Sequence, residues 1–102
     1  MKTTNLEENT WKRKRNIVIT KNGNCVLVTT VYTGHTTLHE YETMVFSWNP
    51  WTKRVGSYDD YDFDTYDYPD VADVGHEQMV AKWMNEDRPL HVIRQERLKK
   101  LH

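Results

Sequence analysis

Asn22-Gly23 stands between two runs of β-branched residues, and no other feature narrows the fold of this chain as far. Asn16 to Thr20 alternates on one side of it and Cys25 to Thr33 on the other. Asn and Gly both tolerate the positive φ that a two-residue hairpin turn demands, so the two runs are expected to pair antiparallel. Alternation then sets Cys25, Leu27, Thr29 and Val31 on one face and Val26, Val28, Thr30 and Tyr32 on the other. Gly34 to Thr37 reads as a turn. Leu38 to Trp48 reads as a third strand, with Met44, Phe46 and Trp48 on one face and Tyr41, Thr43 and Val45 on the other. Asn49-Pro50 ends it, because proline has no amide to give a ladder.

The second half changes period. Pro69 suits the first turn of a helix, where its missing amide is no loss, and Asp67 or Asp70 is placed to serve free amides there. Gly75, His76, Met79, Val80 and Trp83 then recur at spacings of three and four, one apolar stripe of a helix over residues 69–86 that stops at Arg88-Pro89. Leu90, Ile93, Leu98 and Leu101 give residues 88–102 the less regular pattern of a second, basic helix. Residues 1–10 carry no apolar period and are expected to be a flexible arm. Residues 49–68 are expected to be an acidic, aromatic loop, since aspartate disfavours strands, with a short strand around Tyr61 to Tyr66 as the alternative. The fold class is α+β: an antiparallel β-meander of three to four strands over residues 16–48, one helix packed on a face, and a C-terminal helix beyond it. Sheet edges left unpaired in so small a chain suggest a homodimer.

A chain of 102 residues is one domain, able to bury roughly two thirds of its unfolded surface. Mean hydropathy is low, but four Trp and six Tyr supply rings that bury apolar area while keeping a polar tip wet. The single Cys25 rules out an internal disulfide and reads as a small strand thiol. The first residues are polar and the apolar runs are short, so neither a signal peptide nor a membrane span is expected. The expected location is cytoplasmic.

A net charge of -1 conceals segregation. Lys12 to Arg15 is basic, Arg88 to Lys100 is basic, and Tyr58 to Glu77 holds eight acidic residues without a Lys or Arg. The basic termini could fold back to neutralise that stretch, or the molecule could be dipolar in space. Carboxylates at short intervals on a rigid platform can imitate a row of phosphates, and interleaved rings can anchor in a partner. Asp59, Asp60, Tyr61, Asp62, Phe63, Asp64 and Tyr66 are therefore the candidate partner-binding residues. The same negative charge opposes direct binding to nucleic acid.

Other chemistries fit less well. Asp60, Asp62 and Asp64 open like a calcium loop, but Thr65 stands where the sharp turn needs Gly and Val71 where the bidentate Glu belongs. His35 and His39 have a four-residue spacing that suits a metal only on a helix, and they sit at a turn. No nucleophile elbow, Cys-His signature or phosphate loop occurs. The chain is read as a non-enzyme with no metal and no cofactor.

Three blocks carry a family likeness: Val28-Thr29-Thr30-Val31-Tyr32-Thr33-Gly34-His35, Glu42-Thr43-Met44-Val45-Phe46 and Gly75-His76-Glu77-Gln78-Met79-Val80. In that order they resemble a family of small, uncharacterised bacteriophage and prophage proteins, over roughly residues 26–84. The stretch from Pro50 to Asp64 and the residues Thr33 and Thr36-Thr37 depart from its pattern. The resemblance implies a setting, phage or prophage, and no chemistry; joined to the acidic, aromatic run, it leads to the expectation of an accessory protein in the host cytoplasm that binds and inhibits a host or anti-phage defence component. A second expectation is a sponge for a nucleotide immune signal, held where strand ends meet the helix by Thr30, Tyr32, His35, Glu42 and His76, with terminal Arg or Lys on the phosphates. A small hydrolase is the third.

Overall fold

The computed structural model describes residues 13–34 and 39–100. Four strands form one antiparallel sheet in the order β1-β2-β3-β4: β1 Arg13–Ile19, β2 Cys25–Tyr32, β3 Tyr41–Asn49 and β4 Arg54–Tyr66. Two helices follow, α1 Pro69–Met84 and α2 Leu90–Lys100. The fold is α+β, with α1 packed across one face of the sheet. The expected arm at residues 1–10 and most of the Gly34–Thr37 turn lie outside the described residues.

The first hairpin closes through three residues, Lys21 to Gly23, one more than the expected two-residue turn: Thr20 N donates to Asn24 O and Gly23 N to Thr20 O, and of the three only Gly23 takes the left-handed conformation, at a φ of 82°. The register sets Val18 beside Val26, Val28 beside Val45, and Thr30 beside Thr43. Those residues therefore share the face beneath α1.

Pro69 opens α1, as its fixed φ favours, and the Ala72 amide bonds to the Tyr68 carbonyl. No side chain caps that end; Asp70 instead accepts from the Val71 amide. The buried stripe is Ala72, Gly75, His76, Met79 and Trp83, and Asn85 closes the helix by donating its side-chain amide to Ala81 O. Two apolar clusters result. Val18, Val26, Val28, Val45, Met79, Trp83 and Ile93 form the larger, and Tyr41, Tyr66 and Ala72 the smaller. Gly75 is required between them, because a Cβ there would overlap the Tyr66 ring and hydroxyl.

The acidic stretch expected as a loop is mostly a strand. β4 runs 13 residues as the outer strand of the sheet, where only one side must pair and charge is tolerated. Its ladder is interrupted: Val45 pairs with Asp62 and Ser47 with Ser57, so Tyr58 to Tyr61 stand opposite the single Phe46. This bulge throws the Tyr58 ring over Phe46, with centroids 5.5 Å apart, and the Tyr61 ring toward Trp83, at 6.1 Å.

Among the described residues, no helix is long and apolar enough to cross a membrane.

Candidate functional site: an acidic, aromatic sheet edge

The bulge residues of β4 meet α2. Arg94 donates to the carbonyls of Asp59 and Asp60 at 2.6 and 3.1 Å, and its guanidinium carbon lies 4.1 Å from the Tyr61 ring centroid. Arg97 pairs with the Asp60 carboxylate. Farther along, Asp62 accepts from Lys82 at 2.6 Å and from the indole N–H of buried Trp83 at 3.0 Å. Both carboxylates are committed to holding β4 against the helices. The Asp62 contact also satisfies a donor that burial would otherwise leave costly.

Four of the seven expected partner-binding residues are thereby turned inward. Asp60, Tyr61 and Asp62 are partly buried, and Tyr66 is buried beneath Gly75. Asp59, Phe63 and Asp64 remain exposed. Tyr58 and Tyr68 join them, 80% and 65% exposed, as does Asp70. Among the described residues no basic side chain pairs with Asp59, Asp64 or Asp70, whereas Asp67 meets His39 at 2.8 Å. A groove of about 410 Å³ follows this edge between β4 and α1, lined by Phe63, Asp64, Gln78 and Met79 with Asp62 and Lys82. Its chemistry suits a basic side chain with an apolar stem.

The charge segregation of the sequence resolves into two different outcomes. α2 returns to the acidic strand and neutralises part of it. β1 carries Arg13, Lys14 and Arg15 to the opposite edge of the sheet, three strand spacings of about 4.8 Å away. There Lys14 reaches the α1 carboxylate of Asp73 at 2.9 Å.

Among the described residues, those expected to hold a nucleotide do not all share one face of the sheet. His35 lies outside the described residues. Glu42 is on the sheet face opposite Thr43, hence away from α1, and Tyr32 packs on Tyr41 with centroids 5.2 Å apart. Thr30 and His76 do come together, in a polar row between the two apolar clusters: Thr43 Oγ1 to Thr30 Oγ1 at 2.5 Å, Thr30 Oγ1 to His76 Nδ1 at 2.7 Å, and His76 Nε2 to Asn16 Oδ1 at 2.7 Å. Hydroxyl, imidazole and amide stand in the order of a nucleophilic triad, but Thr30 and His76 are 0% exposed, so no substrate atom reaches them in this conformation. Burial, with help from Lys14, holds the His76 pKa below its ordinary value against Glu77 and Asp73. Burial likewise pushes the Tyr66 phenol up; the Thr43 hydroxyl opposes this, although the Tyr66 hydroxyl makes no hydrogen bond of good geometry.

Asp60, Asp62 and Asp64 alternate along a strand and do not converge on one point, and among the described residues no three His, Cys, Asp or Glu side chains form a metal-holding group. No family model, curated protein or solved structure matches this chain.

The roles of Arg94, Arg97 and Lys82 were not legible in sequence. They sit 20 to 37 residues from their β4 partners, and only the complementary charge of the two segments hinted at the contact.

Proposed function

We propose that this protein acts by stoichiometric binding: an accessory protein of phage or prophage origin that docks a basic surface of a host or defence component along β4 and the start of α1, in the host cytoplasm. The observation that carries this reading is the exposed set Asp59, Asp64 and Asp70, without cationic partners among the described residues, interleaved with the exposed rings of Tyr58, Phe63 and Tyr68. Rings beside unpaired carboxylates give a partner both an anchor and a steering field. Asp59 stands in the bulge, Asp64 on the regular part of β4 and Asp70 in the first turn of α1, so the unpaired charges are carried on backbone that the sheet and helix hold in place. The phage setting is supported by the motif resemblance.

The test separates docking from folding. Asp59→Lys with Asp64→Lys reverses two exposed charges that hold no ion pair, so the fold should survive. Capture of a partner from bacterial lysate, quantified by mass spectrometry, should drop at least about tenfold, a loss of roughly 1.4 kcal/mol or more. Retention of the same partner at wild-type level would remove this edge from the account.

A further inference from the structure

The two outer strands are finished differently. On β4, the Phe63 and Thr65 amides are taken by the carboxylates of Asp62 and Asp64 at 3.0 and 2.8 Å, and Arg94 takes the carbonyls of Asp59 and Asp60. A further strand finds those groups engaged. β1 has no such cover: among the described residues, its backbone bonds only within the ladder to β2. The ladder alternates, and Thr20 N donates to Asn24 O in the pair that continues it. The amides and carbonyls of Ile19, Ile17, Arg15 and Arg13 therefore point away from β2. Beside them, Ile17, Ile19, Val80 and Met84 line an apolar groove of about 360 Å³. Ile17 and Ile19 are 48% and 66% exposed, a cost that a solitary edge strand does not explain.

We propose that β1 is a self-association edge, on which a second copy of this chain pairs its own β1 antiparallel about a two-fold axis at Asn16. The strand reads Arg13-Lys14-Arg15-Asn16-Ile17-Val18-Ile19, a basic half and an aliphatic half divided by one amide. With Asn16 on the axis, all seven residues pair. Arg13 lies opposite the partner's Ile19, Lys14 opposite the partner's Val18, and Arg15 opposite the partner's Ile17. No two like charges stand directly opposed, and each long basic stem lies over an aliphatic neighbour. Paired residues share a face, and the odd-numbered ones bring their free amides and carbonyls together. A one-residue slip would set those free groups against groups already bonded within the partner's own sheet. Asn16 already accepts from His76, and its amide NH2 has no partner among the described residues, which leaves it to donate across the axis. The result is a continuous sheet of eight strands, twice the four of one chain, with α1 and α2 of both copies on the same face. The interface is isologous and closes on itself. The acidic edges lie at its two outer ends, so each dimer offers two docking surfaces.

Sedimentation equilibrium on the full chain, from about 1 μM to about 1 mM, covers the affinities expected of a short strand interface. The wild type should show a monomer–dimer equilibrium. Ile17→Lys and Ile19→Lys each place a cation against the partner's Arg15 or Arg13, at side chains exposed enough to leave the monomer folded by circular dichroism. Each should raise the dissociation constant at least about tenfold. Asp59→Lys with Asp64→Lys should leave the dimer intact, so loss of docking and loss of pairing are read separately. A wild type that stays monomeric throughout, a dimer indifferent to both lysine variants, or one dissolved by the β4 variant would overturn the assignment.

Discussion

Neutral His76 can serve both of its neighbours in only one tautomer. Asn16 Oδ1 has no proton to give, so Nε2–H donates to it and Nδ1 accepts from Thr30 O–H, whose oxygen in turn accepts from Thr43. Protonation would place a charge on a ring that burial has taken out of water, so burial lowers the His76 pKa. The sign of the pH effect follows. The unfolded chain, with His76 near 6.5, binds more protons than the folded one, so stability rises with pH through this window. The His76 contribution should be fully present above about pH 6.5 and be lost as pH falls through the lowered folded value. Urea unfolding between pH 8 and pH 4 measures this, and His76→Gln should flatten the difference; an unchanged slope in that variant would contradict it. Gly75 gives a second expectation at this scale. Gly75→Ala drives a methyl into the buried Tyr66 ring, which has no flexible end to yield, and should cost about 1–3 kcal/mol in the same assay.

At the scale of elements, β4 and α2 stabilise one another. α2 has one buried side chain, Ile93, and otherwise leans on Arg94 and Arg97. Arg94→Ala removes two hydrogen bonds and the stack on Tyr61, and should cost about 1–3 kcal/mol, with faster amide exchange in both the 58–61 bulge and α2. Exchange confined to α2 would show that the bulge holds its shape alone. This pairing also explains what could be read in the sequence. Asn22-Gly23, Pro69 and Arg88-Pro89 each act through local backbone geometry, so the hairpin and both helices were legible, and the observed α1 ends at Met84, within the expected range. β4 was not. Intrinsic preference counts Asp59, Asp60, Asp62 and Asp64 against a strand, but an edge position exposes those carboxylates, and α2 and Lys82 supply cations from far along the chain. Of the candidate site, the charge and the rings were visible. Which carboxylates are spent on folding was not, because that depends on the bulge set by a pairing shift opposite Phe46.

For the whole molecule, strand order converts a sequence with separated charges into a sheet with a basic edge at β1 and an acidic edge at β4. The two edges have separate uses in this account: β1 pairs copies and β4 meets a basic partner. Charge on an exposed edge acts at long range and is screened by salt, so docking should weaken as ionic strength rises past about 0.15 M, where the Debye length is near 8 Å. Hydrogen–deuterium exchange of the full chain, alone and saturated with the partner it captures, tests the docking surface most directly. Protection should concentrate at Tyr58, Asp59, Phe63 to Thr65 and Tyr68 to Val71. Protection at β1, or along the sheet face opposite α1, with β4 unchanged would contradict it.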